Sequence, residues 1–296
     1  MAPFFLLDGF LQYLVTEKRF SEHTCIAYKK DLEQFIEFTG IESEADLIEV
    51  NSRIIRGWMV SMLENEYTSV SVNRKLSTLR TYFKWLLKEE VIYTNPMRTV
   101  SGPKTSKRLP SFAQQQELQV EKIEPLFEDG FEGKRDRLIF ELLYQTGIRS
   151  SELINLQDRN VEESKIKVLG KRNKERIIPI SVDLNNLINE YRILRAETGV
   201  EGSFFFLLKS GKKLYPKFVY RKINSYLGKA TELEKKSPHV LRHTFATHML
   251  NNGAGLEVLK ELLGHASLSA TQVYTHNSFS QLTNIYSQSH PRGRKK

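Results

Sequence analysis

The first hundred residues of this chain space their apolar side chains three and four apart, and that spacing predicts helices alone. One helix covers Phe4 to Val15. A second covers Ile26 to Phe38, with Ser21 placed to cap its start and Gly40 to stop it. A third runs from about Asn51 through Trp58 to Leu63, and a fourth starts near Ser69 and carries Leu76, Leu79, Phe83, Trp85 and Leu86. Pro96, which has no amide hydrogen and cannot continue a helix, closes this region.

Residues 97–111, MRTVSGPKTSKRLPS, lose the period and gather prolines, hydroxyls and the basic side chains Arg98, Lys104, Lys107 and Arg108. This composition reads as a basic linker, suited equally to lying along a DNA backbone and to serving as a solvated hinge. Beyond it the pattern is mixed. Arg135 to Gln145 reads as an amphipathic helix stopped by Gly147, and KIKVLGKRNKERIIPI alternates about a polar turn as a β-hairpin does. Helices follow at about 183–197 and 216–230, and short helices fill 237–286 before the basic tail PRGRKK. The expected organisation is a helical domain at 1–96, the linker at 97–111 and a second domain at 112–296.

Length and composition add a partner. A chain of 296 residues with 40% hydrophobic side chains has room for two folded cores. Its 44 Lys and Arg against 35 Asp and Glu leave a net charge of +9, which favours a polyanion. The lone Cys25 excludes an internal disulfide and a cysteine zinc finger, and fits a reducing compartment. The opening MAPFFLLDGF has no basic leader and is interrupted at Asp8 and Gly9, so neither a signal peptide nor a membrane span is expected; the cytoplasm is.

Several weak chemical signals then accumulate. In SPHVLRHTFATHMLNNG, Ser237 is a good N-cap, Pro238 fits the first helical position and Gly253 supplies a stop. His239 and Arg242 fall on one face near that helix start, where free N–H groups and the dipole attract an anion, while Leu241, Phe245 and Met249 face a core. Alone, His239 is more often a capping or core histidine. TGIRSSEL sets Arg149 at another helix mouth with Ser150 as a plausible cap, and Glu152 is close enough to orient a charged neighbour. Lys171 lies at the hairpin tip, where lysines are common, among Lys165, Lys167, Arg172, Lys174 and Arg176, which are placed to meet backbone phosphates. His265 follows Gly264 past a helix end, and Tyr274 stands among Thr271, Gln272, Thr275, His276 and Asn277 rather than in an apolar stripe. Cations, proton donors and a hydroxyl nucleophile are the parts that phosphoryl transfer needs without a metal. A tyrosine hydroxyl ionises only near pH 10, roughly, so it needs such a cationic setting to attack.

TGIRSSEL, GKRNKER, HVLRHTFATHML, LLGHASLSATQVYTH and YSQSHPRGRKK resemble the tyrosine recombinases of the Xer type, and SEHTCIAYKKDLEQFIEF with NRKLSTLRTYFKWLL is similar to that family's core-binding domain. The resemblance covers nearly the whole chain. It implies a mainly α fold: an all-helical, SAM-like core-binding domain followed by a mixed α/β catalytic domain with a small β-hairpin sheet. It also implies a site-specific recombinase that cuts and rejoins DNA through a 3′-phosphotyrosine, with no cofactor and no metal. On these residues, Tyr274 would attack the phosphate, Arg149 and Arg242 would hold its non-bridging oxygens, Lys171 would protonate the leaving 5′ oxygen, His239 would assist proton transfer, His265 would hydrogen-bond the phosphate, and Glu152 would support them. Arg172 stands where the family often has a second glycine, which suggests a different turn at the tip.

Lys104, Lys107 and Arg108 of the linker and Arg172, Lys174 and Arg176 of the hairpin are expected to contact DNA. The implied partners are a duplex recombination site, a homo-tetramer or a hetero-tetramer with a second recombinase, and a DNA translocase as activator. Chromosome or plasmid dimer resolution is the expected role; an integrase of a phage or conjugative transposon, a type IB topoisomerase and a non-catalytic DNA-binding protein of the same fold are the alternatives. A metal site of His239, His243 and His248 is disfavoured because the three spread around the helix without a carboxylate or cysteine. The segment from about Phe279 to Lys296, with Leu282, Ile285 and Tyr286 at helical spacing, is expected to pack on a neighbouring protomer.

Overall fold

A computed structural model describes residues 3–105, 111–170, 175–264 and 276–293. The chain divides into two compact units, Met1–Arg108 and Leu109–Lys296.

The first unit contains α1 (Pro3–Thr16), α2 (Glu22–Thr39), α3 (Glu44–Ile48), α4 (Ser52–Glu64) and α5 (Ser69–Lys88). Their ends follow the local chemistry expected of them. The Ser21 hydroxyl accepts from the Thr24 amide, Gly40 closes α2 in the left-handed region, and Asn51 caps α4. The short α3 lies outside the sequence reading, since five residues are too few to show a period. Phe10, Phe35, Trp58, Leu79 and Phe83 form the centre of this core. Within it the buried Asp31 carboxylate accepts from Arg74, Lys75 and Thr78, as an ion removed from water must.

The stretch expected to begin a linker at 97 is fastened to this unit. Met97 and Val100 are buried in its core, Arg56 donates to the Thr99 carbonyl at 3.0 Å, and Asn73 Nδ2 donates to the Pro103 carbonyl at 2.9 Å. At Gly102 a Cβ would displace the Asn73 side chain that makes this bond.

The second unit runs α6 (Val120–Ile123), α7 (Gly130–Thr146), α8 (Ser150–Ile154), β1 (Lys165–Leu169), β2 (Glu175–Pro179), α9 (Val182–Glu197), α10 (Pro216–Ala230), α11 (Pro238–Asn251), α12 (Leu256–Leu263) and α13 (His276–Ser289). The amphipathic reading of α7 is corrected: packed against α9, α10 and α11, the helix is buried nearly all round. Its buried polar side chains are satisfied inside, with Arg135 held by Asp136 and the Leu207 carbonyl. The two strands pair antiparallel, Ile166 opposite Ile178 and Val168 opposite Arg176. No helix among the described residues is long and apolar enough to cross a membrane.

The C-terminal segment, expected on a neighbouring protomer, lies through Gly293 on its own domain. Leu282 and Tyr286 join the core, Asn252 Nδ2 donates to the Ser289 carbonyl at 2.8 Å, and Arg292 donates to Glu141 at 3.0 Å and to the Leu118 carbonyl at 2.7 Å. His290 is fully buried among the rings of Tyr144, Phe245 and Tyr286.

Candidate active site

The site is built where three helix ends meet. α7 stops at Gly147, whose φ of +60° belongs to the left-handed region, and the chain turns through buried Ile148 into α8. A Cβ at Gly147 would sit 2.5 Å from Phe245 Cδ1 and 2.9 Å from Leu263 Cδ2, so neither backbone nor space admits another residue comfortably.

The residue that caps α8 is Arg149, not Ser150. Its backbone N–H donates to Glu152 Oε2 at 2.7 Å, and its Nη1 donates to Oε1 at 2.8 Å. The carboxylate three residues into the helix thus accepts from an otherwise unpaired terminal amide and from a guanidinium together. Arg176 completes it, with Nη1 2.9 Å from Oε1 and Nη2 2.8 Å from Oε2, while its Nε donates to the Leu262 carbonyl at 2.6 Å.

Arg242 comes from the second turn of α11. It donates through Nη1 to the Gly147 carbonyl at 2.6 Å and through Nη2 to the Leu263 carbonyl at 2.7 Å. The last carbonyls of α12 therefore face two guanidiniums, which satisfies orphan acceptors and places cations at the negative end of the helix dipole.

Three guanidiniums around one carboxylate leave two positive charges in excess, an arrangement that draws in an anion. Burial pulls the Arg242 pKa down to about 10, helped by repulsion from Arg149 and Arg176 and opposed by Glu152, so it stays charged at neutral pH. Burial alone would raise the Glu152 pKa; the hydrogen bonds and charge of Arg176, with the Arg149 bonds, outweigh it and hold the carboxyl below its ordinary value. Arg149 remains about a third exposed and faces solvent beside this buried pair.

Of the residues singled out in the sequence, the structure brings together Arg149, Glu152, Arg176 and Arg242. His239 is exposed on the first turn of α11, three residues before Arg242; Ser237 precedes it without a side-chain capping bond. His248 is committed elsewhere, between the Tyr144 hydroxyl and the Ala113 carbonyl. Lys104 is exposed. Lys165 and Lys167 form surface ion pairs with Glu162 and Glu175. Lys171, Arg172, Lys174, His265, Tyr274, Lys107 and Arg108 lie outside the described residues.

The assignment of Arg176 to a DNA contact is corrected. Its side chain is 5% exposed, because period-two alternation puts it on the same face as Ile178, towards the core. That alternation was available in ERIIP, and it is the signal that places Arg176 inside.

The Phage integrase family model matches residues 116–281, and that of the Phage integrase N-terminal SAM-like domain matches residues 7–90. The chain belongs to the phage integrase family, the tyrosine recombinases. This recombinase is 39% identical over 295 residues to the tyrosine recombinase XerC of Thermodesulfovibrio yellowstonii, covering 97% of this chain and 96% of the relative. It is also 39% identical over 298 residues to the XerC of Oceanobacillus iheyensis, covering 97% and 96%. The fold of this recombinase resembles that of the XerH site-specific recombinase in a post-cleavage complex with palindromic difH DNA, with a TM-score of 0.69, 21% identity and coverage of 95% of this chain and 94% of that one. It is a tyrosine recombinase by family and an enzyme of DNA strand exchange.

Proposed function

We propose that this recombinase resolves chromosome or plasmid dimers in the cytoplasm, acting on a duplex recombination site as a tetramer of itself or with a second recombinase. As its proton passes to His239, the Tyr274 oxygen attacks the scissile phosphorus, a 3′-phosphotyrosine bond forms, the bond to the 5′ oxygen breaks, and that oxygen takes a proton from Lys171. The 5′-hydroxyl of a partner strand then attacks the phosphotyrosine and returns the tyrosine, so the bond count is unchanged and no nucleotide is consumed. Arg149 and Arg242 hold the non-bridging oxygens, His265 hydrogen-bonds the phosphate, and His239 assists the proton's movement. Their contacts strengthen as charge gathers in the transition state, which is where binding accelerates a reaction.

The observation that carries this reading is the convergence of Arg149 and Arg242 beside one saturated carboxylate, with cationic charge in excess and Arg149 open to solvent. The Xer-type role is supported by similarity over nearly the full length of both chains. The test is a nicked duplex that loses its 5′ fragment after cleavage. Wild-type protein should accumulate as a denaturant-resistant DNA adduct. Tyr274→Phe should bind the site and form none, while Tyr220→Phe, at an exposed position, should behave as wild type. An adduct mapped by peptide mass to another residue would remove Tyr274 and the mechanism built on it. The dimer-resolving role is tested by conversion of plasmid dimers carrying the bound site to monomers; integration of a free circle with no resolution would transfer the protein to a mobile element.

A further inference from the structure

Arg176 is buried on β2 and connects three separate pieces of the site without facing solvent. One guanidinium reaches both oxygens of Glu152 at the start of α8 and the Leu262 carbonyl at the end of α12. It also lies under Gly264, where a Cβ would come within 3.0 Å of Nη1, so the chain leaves α12 directly over it. Stability alone is a poor reason to bury a charge here. A buried ion pair is often no more stabilising than well-packed apolar residues of the same volume, and the strand position is flanked by Val168 and Ile178, which an apolar side chain would suit.

The hydrogen bonds around Glu152 supply another reason. Its two oxygens offer about four acceptor positions. Oε1 takes Arg149 Nη1 and Arg176 Nη1, and Oε2 takes the Arg149 amide and Arg176 Nη2. The carboxylate is full. Among the described residues Arg149 therefore meets it through a single side-chain nitrogen, Nη1, and about a third of the side chain stays exposed. With Arg176 gone, two acceptor positions open, and the Arg149 guanidinium can close onto Glu152 as a bidentate pair, the geometry that arginine and carboxylate favour. The same loss frees the Leu262 carbonyl, next to the Leu263 carbonyl that holds Arg242.

We propose that Arg176 is a positioning residue for strand cleavage: by saturating Glu152 it keeps the Arg149 fork free for the scissile phosphate, and by gripping the end of α12 it keeps Arg242 in register, without touching DNA itself. The inference rests on the assignment of Arg149 and Arg242 to the non-bridging oxygens.

The test compares Arg176→Lys and Arg176→Met with Arg149→Ala, in the full chain, on two half-site duplexes. One has an ordinary scissile phosphate. The other has a methylphosphonate there, which carries no negative charge on the non-bridging positions and so has little use for an aligned arginine. Lysine retains the charge of Arg176 but cannot engage two oxygens and a carbonyl in one plane. At saturating DNA, Arg176→Lys should slow cleavage of the phosphate roughly 100-fold, the scale of a misplaced catalytic group, with half-site affinity within about threefold. On the methylphosphonate its rate should come within a few-fold of wild type. Arg176→Met is read the same way if it folds, judged by thermal unfolding; if it does not, the lysine variant decides. Wild-type cleavage by Arg176→Lys, or an equal loss on both substrates, would overturn the inference. Arg149→Ala separates the layers: if it cleaves the phosphate normally, the reading beneath fails, whereas if it is crippled and rescued while Arg176→Lys is crippled on both substrates, only the positioning role fails.

Discussion

Replacing Gly147 with alanine adds one methyl group at the joint that positions both arginines. The left-handed backbone, at φ +60°, costs an alanine about 1–2 kcal/mol. The new Cβ also meets Phe245 at 2.5 Å and Leu263 at 2.9 Å. Neither can yield easily, since Phe245 is wholly buried with the His290 ring behind it. Overpacking of this kind costs about 1–3 kcal/mol. Alanine loses less freedom on folding than glycine, which offsets about 0.4–1 kcal/mol, so the net loss is roughly 1–4.6 kcal/mol. For a unit of this size that lowers the unfolding midpoint by roughly 2–18 °C. Gly253→Ala is the matched control: it lies in the same unit at φ +90° with nothing within 4 Å of the added carbon, so it carries only the backbone cost. Differential scanning calorimetry should show the catalytic transition falling further in Gly147→Ala than in Gly253→Ala, with the helical N-terminal unit unmoved. Adduct formation should fall only in the former, because the Gly147 carbonyl holds Arg242 and the next turn presents Arg149. Equal midpoints for the two variants, or full cleavage by Gly147→Ala, would refute the reasoning.

The C-terminal segment yields two more expectations. Burial, above all, pushes the His290 pKa down to about 3, with the Arg292 charge adding to the effect, and its Nε2 has no hydrogen-bond partner among the described residues. A group lowered in the folded state stabilises most above its unfolded value, near 6.5, and its contribution declines as pH falls; between pH 6.5 and 5 the loss is roughly 1.5–2 kcal/mol. Urea titrations should show that slope in wild type and a shallower one in His290→Gln, with a remainder from His248, which burial also lowers; an unchanged slope would rule out His290 as its source. Among the described residues, Arg292→Ala leaves Glu141 buried beside Gln145 alone and should destabilise the catalytic unit by about 3–5 kcal/mol, while Arg292→Met with Glu141→Gln should recover most of it. A loss below 1 kcal/mol in the single variant would show that the segment is not docked in solution.

Much of this was legible in the sequence because local chemistry governs it. Ser21, Asn51, Gly40 and Gly147 end helices where side-chain oxygens or glycine are required, and the apolar period gave the long helices between them. What was hidden depends on distant partners. Met97 and Val100 belong to the first core only because α4 and α5 bring Arg56, Asn73 and Arg80 to the following carbonyls. The polar side chains of α7 read as a solvent face, yet Arg135, Asp136, Glu141, Gln145 and Thr146 are buried with partners inside. An apolar stripe at Leu282 and Tyr286 states that a surface will be covered but not by whom. At the site, Arg149, Glu152 and Arg242 stood out at helix mouths and the structure brings them together, whereas Arg176 was misread from its charge when its strand register was the better guide.

A carboxylate shared among two guanidiniums and a backbone amide also changes how this pocket accepts mutation. Positions 149, 152 and 176 form one coupled unit, so substitutions among them should fall well short of additivity, with the second change doing little once the first has opened the cluster. Variation that screens one position at a time will find each of the three immovable. Any route to an altered cationic pocket in this chain has to replace the trio together.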